Sequence, residues 1–167
     1  MGISISVESI VVSESRRRPG ATVDHLDPGQ DEVIRAILDH FGWKELPWEE
    51  PSHRVGTTRG SFSHSSFSGL ATLVYDLDIE DHCPHVLERD TYCTFHIPVD
   101  FERPWAGKGG QMGSFVIGSS PRLLTELEVV GTSIDEHTRG NVRDVWEVLI
   151  AAACESAALN LPLQLLW

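Results

Sequence analysis

The chain has 167 residues, 41% of them hydrophobic, enough for one well-packed core and short for two, so a single domain over residues 1–167 is expected. Its 25 carboxylates against 13 Lys and Arg give a formal net charge of −12 and a pI near 4.9, a balance that repels a phosphate backbone and argues against direct binding of DNA or RNA. No run approaches the roughly 20 apolar residues of a membrane span, Met1-Gly2-Ile3-Ser4 lacks the pattern of a signal peptide, and Cys83, Cys93 and Cys154 cannot all pair; a cytoplasmic protein with reduced thiols and no membrane partner is expected.

Residues 1–13 alternate Ile3, Ile5 and Val7 with Ser4, Ser6 and Glu8 and then run Ile10-Val11-Val12, the pattern of a half-buried strand with a buried end, broken by Arg16-Arg17-Arg18-Pro19-Gly20. Asp27, Pro28 and Gln30 have the form of an N-cap, a first-turn proline and a capping-box partner. A helix therefore opens near Pro28, with Val33, Ile34, Ile37, Leu38 and Phe41 at helical spacing and Gly42 as a left-handed stop. Residues 43–60 carry Pro47, Pro51 and Gly56 with Trp43 and Trp48, and read as an ordered loop pinned by aromatics. The Ser-rich stretch from Gly60 to Ser66 caps a second helix with Phe67, Leu70, Val74 and Leu77 on one face; Thr72, Val74 and Tyr75 make a strand over 70–76 the competing reading.

Between Asp76 and Asp90 six carboxylates face one arginine, together with His82, Cys83 and His85, which reads as a solvated connection. A strand over 92–99 follows, then a short strand at 113–117 and a helix opened by Ser120-Pro121 and ending at Gly131. Asn141 caps a last helix over 142–159, apolar on most sides and hence central, with Cys154 as a small buried residue and Asn160 as its stop. Leu161 to Trp167 is a terminal strand that Pro162 places at a sheet edge. The order is not a strict strand–helix alternation, so the expected class is α+β: one compact domain with a small, mostly antiparallel sheet and about four helices.

Four constellations could carry chemistry. Glu80, Asp81, His82, Cys83 and His85 hold every common transition-metal ligand type, but adjacent His82 and Cys83 do not readily face one ion; an exposed loop is the expected reading, with His82, Cys83 and His85 as the metal alternative and no cofactor required. His96 shares its strand phase with Asp100, a pair able to do acid–base work if a substrate reaches it; a strand histidine bonded to a neighbour is the plainer account. Gly118-Ser119-Ser120 before a proline-started helix could gather an anion on free amides, or simply cap the helix. Trp43, Trp48 and Trp105 lie in expected loops, where they staple the loop or anchor a partner. Gly107-Lys108-Gly109-Gly110 lacks the order of a P-loop and reads as a surface loop, and the serines around His64 form no nucleophile elbow.

The stretch Ile97-Pro98-Val99-Asp100-Phe101-Glu102-Arg103-Pro104 and the run Gly118-Ser119-Ser120-Pro121-Arg122-Leu123-Leu124-Thr125-Glu126-Leu127 resemble a group of small uncharacterised bacterial proteins with a Pro-Val-Asp-Phe segment, a Gly-Ser-Ser turn and a Leu-Leu-x-Glu-Leu helix. Met1-Gly2-Ile3 and Ser65-Ser66-Phe67 are similar too, and about a third of the chain is covered. The resemblance implies a bacterial cytosolic protein and no particular activity. Acidity, small size and the lack of a catalytic signature favour a non-enzymatic binding protein that engages a basic protein partner, in its sharpest form an immunity protein that neutralises a toxin. The alternative is a small enzyme with its site between His96/Asp100 and the Gly118–Ser120 helix start. Oligomeric state is not legible in the sequence.

Overall fold

A computed structural model describes residues 2–8, 28–48, 55–88, 93–109, 113–134 and 138–166. Among the described residues six strands form one sheet: β1 (Gly2–Glu8), β2 (Val55–Ser63), β3 (Cys93–Ile97), β4 (Trp105–Gly109), β5 (Gly113–Ser119) and β6 (Leu163–Leu166). Their spatial order is β2-β1-β6-β3-β5-β4, and every neighbouring pair is antiparallel except β3 with β5. The helices are α1 (Pro28–Phe41), α2 (His64–Asp76), the short α3 (Pro84–Leu87), α4 (Ser120–Gly131) and α5 (Gly140–Leu159), with a single 3-10 turn at Glu80–His82. The chain is thus an α+β domain with a mixed, mostly antiparallel sheet. No helix among the described residues is long and apolar enough to cross a membrane.

The period-2 rule sorts the side chains onto two faces. Ile3, Ile5 and Val7 of β1 join Leu163 and Leu165 of β6 under α2, α4 and α5, while Phe95 and Ile97 of β3 join Phe115 and Ile117 of β5 under Val33 and Ile37 of α1. Register confirms the sorting, because Thr94 pairs with Leu165 and His96 with Leu163, so the polar residues of β3 point toward the α2–α5 side. α5 lies between α2 and α4 on that side, as its apolar circumference requires, and its stop is Asn160 at φ 54°.

Several expectations are corrected. The segment read as a loop before Ser61 is the start of β2, and the Gly-Lys-Gly segment is β4; both are edge strands, where one side of the ladder is open and an apolar pattern is weakest. β6 is not an edge strand: it lies between β1 and β3, and Pro162 stands just before the ladder, where its missing N–H costs no strand bond. The 76–90 connection is not simply solvated, since it contains the 3-10 turn and α3 and buries Cys83 and His85. The helix expected through residues 70–76 forms, and the competing strand does not. The N-cap of α4 is Ser119 rather than Ser120, and Arg139 rather than Asn141 precedes α5. Cys154 is exposed; Ala152 and Ala153 fill the core side instead. The Asp27 cap, the Ile10–Val12 strand end and Trp167 lie outside the described residues.

Candidate functional site

Two features gather polar chemistry on the α2–α5 side: a buried network under α3 and α4, and an exposed acidic helix layer above it. The network begins at Gly118, which pairs in register with His96. A Cβ there would sit 2.4 Å from His96 Nδ1 and 3.3 Å from His85 Cδ2, so the missing side chain is the space that both imidazoles use. His85 Nδ1 donates to Glu126 Oε1 at 2.7 Å, and the Val86 amide donates to Glu126 Oε2 at 2.9 Å, which ties α3 to α4 through one carboxylate 5% exposed. His85 Nε2 and His96 Nδ1 are buried without a hydrogen-bond partner among the described residues. Burial, reinforced by nearby His85, lowers the His96 pKa to about 3, so its ring is neutral across the physiological range.

The residues singled out in the sequence are distributed as follows. His96 is 1% exposed, whereas Asp100 is exposed and accepts from Arg122 Nε at 2.5 Å and from Arg122 Nη2 at 3.4 Å; the two are not paired with each other. Ser119 accepts from the Arg122 amide at 3.2 Å as the N-cap. The Ser120 hydroxyl donates to the His96 carbonyl at 2.8 Å, and Ser156 Oγ lies 2.7 Å from Ser120 Oγ and 2.5 Å from the Leu161 carbonyl oxygen. Both helix-start serines are therefore engaged by the protein itself. His82 is exposed while Cys83 and His85 are buried, and among the described residues no three His, Cys, Asp or Glu side chains converge as a metal-binding group. Burial, together with the charge of Glu126, pushes the Cys83 thiol up to about 11, away from the thiolate that metal binding or nucleophilic work needs. Trp48 is 2% exposed; Trp43 stacks on Phe41 at 4.3 Å, and Trp105, the first residue of β4, stacks on His40 at 4.2 Å. Sequence reading passed over Glu126, whose place in a helical Leu-x-x-Glu-Leu pattern gives no sign that it is buried.

The acidic layer is the more extended feature. Residues 64–88, comprising α2, the 3-10 turn and α3, carry five carboxylates and neither Lys nor Arg. Asp76, Asp78, Asp81 and Glu88 of that stretch are exposed, as are Glu128 on α4 and Asp144 and Glu147 on α5. The arginines of the same layer are few: Arg122 is held by Asp100, Arg143 is half-buried, and Arg139 is exposed. Asp144 and Glu147, three residues apart, rise about 4.5 Å along α5 and share a face, a linear charge spacing of the same order as the one charge per about 3.4 Å along a single DNA strand. Between α2 and the start of α5 runs an open groove of about 310 Å³, walled by Thr72, Leu73 and Asp76 on one side and by Arg139 and Val142 on the other. Gly69, which also lines it, lets α2 and α5 approach closely, because a Cβ there would lie 2.9 Å from Val142 Cγ2.

Comparison with curated proteins and with solved structures finds no match. A family model described as "Putative DNA-mimic protein" matches residues 27–164, a range that contains both stretches of the resemblance noted above. That description corrects the expectation that nucleic acid has no connection with the partner, while a basic protein partner stays compatible with it. Matched over far more than half its length, the chain belongs to the putative DNA-mimic protein family.

Proposed function

We propose that this protein occupies the DNA-binding surface of a DNA-binding protein, setting carboxylates of the α2–α5 layer where phosphates would lie. Family membership carries the reading, and the charge distribution supports it: the 25-residue stretch 64–88 holds five carboxylates and none of the chain's 13 Lys and Arg, so its negative charge is not offset from within it. A DNA-binding surface presents clustered Lys and Arg on a shape cut for the duplex, so an anionic helix layer competes with DNA for it without any chemistry of its own. The immunity form of the binding reading becomes the special case in which the DNA-binding partner is a DNA-cleaving toxin.

The test uses proteins from an extract of the source organism that are retained on immobilised duplex DNA. Adding the purified chain is expected to elute a defined subset, and each eluted protein, once purified, should bind either labelled duplex or the chain but not both. A stable ternary complex of partner, duplex and chain, or a failure to elute any protein at an ionic strength where the duplex itself competes, would refute the proposal.

A further inference from the structure

We draw no further inference here: the strongest candidate, the buried side-chain cluster of His85 and His96 beside Gly118, leaves one nitrogen of each ring without a hydrogen-bond partner among the described residues, but no three metal-binding side chains converge there among those residues and nothing in the structure shows what the two rings would hold.

Discussion

Gly118 has a side chain of zero size because the register of β5 against β3 sets it beside His96, and α3 brings His85 to the same place. Gly118→Ala would push a methyl carbon into a buried imidazole that has no solvent to swing into, and overpacking of this kind costs about 2 kcal/mol. Urea denaturation should show that loss, and the double variant with His96→Ala should lose less than the sum of the two single changes, because the second removes the ring that the first strikes. His96 also makes stability depend on pH. Its pKa is depressed from 6.5 to about 3, first by burial and then by the proximity of His85. Above 6.5 folded and unfolded chains both hold a neutral ring; below it only the unfolded chain takes the proton, until the folded one follows near 3. Stability therefore falls as pH drops through that window, by at most about 1.4 kcal/mol per pH unit from this one group. Unfolding midpoints measured between pH 7 and 4 should fall less steeply for His96→Ala than for wild type, and parallel curves would show that the ring takes a proton without unfolding.

Among the elements, those with strong local signals were legible in the sequence. α2, α4 and α5 declare themselves by apolar residues three and four apart, although the exact N-caps of α4 and α5 do not, and α5 also by its Asn160 stop and an apolar circumference that a position between two helices satisfies. β2 and β4 were not legible because packing demands the residues that disguise them. A Cβ at Gly60 of β2 would meet Val148 Cγ1 at 2.9 Å, and one at Gly107 of β4 would meet the Phe115 ring at 2.3 Å. Glycines that admit a neighbouring side chain read locally as loop, and their cause lies across the sheet. The same holds for Glu126. It looks like one more surface carboxylate, yet it joins α3 to α4 by accepting from the His85 ring and the Val86 amide. α3 has only four residues and cannot stand as an isolated helix. Glu126→Ala would leave two buried donors without an acceptor, a loss of about 3 kcal/mol, and the element released is α3. Hydrogen exchange should accelerate first at residues 84–88, while the amides of β3 and β6 hold until the whole domain unfolds. Uniform acceleration across the sheet would show instead that Glu126 supports the entire core.

At the scale of the molecule, a carboxylate layer and a DNA duplex differ in one respect that competition can read. Duplex DNA carries one charge per about 1.7 Å of axis and a condensed layer of counterions, so each protein contact that releases them makes binding fall steeply with salt. The chain's net charge of −12 is spread over a surface of 9117 Å², a density too low to condense ions in the same way. Its own affinity is weakened by ordinary screening, with a Debye length of about 10 Å at 0.1 M salt, but it does not lose the larger counterion-release term. A DNA-binding protein offered both ligands should therefore shift toward the chain as ionic strength rises. For a partner making six to ten phosphate contacts, duplex affinity falls by about 10³ to 10⁵ between 50 and 200 mM salt, and the chain's should fall by far less. The chain concentration needed to displace half of a labelled duplex is thus expected to drop at least tenfold over that range. A displacement concentration that stays constant or rises would mean that the chain and the duplex meet the partner's cations in equal number with equal ion release, or that the partner holds the chain by some surface other than its DNA site. Reversing two charges at once, Asp144→Lys with Glu147→Lys, tells these apart: it should raise the displacement concentration severalfold at low salt if the layer stands in for phosphate, and leave it unchanged if contact is made elsewhere.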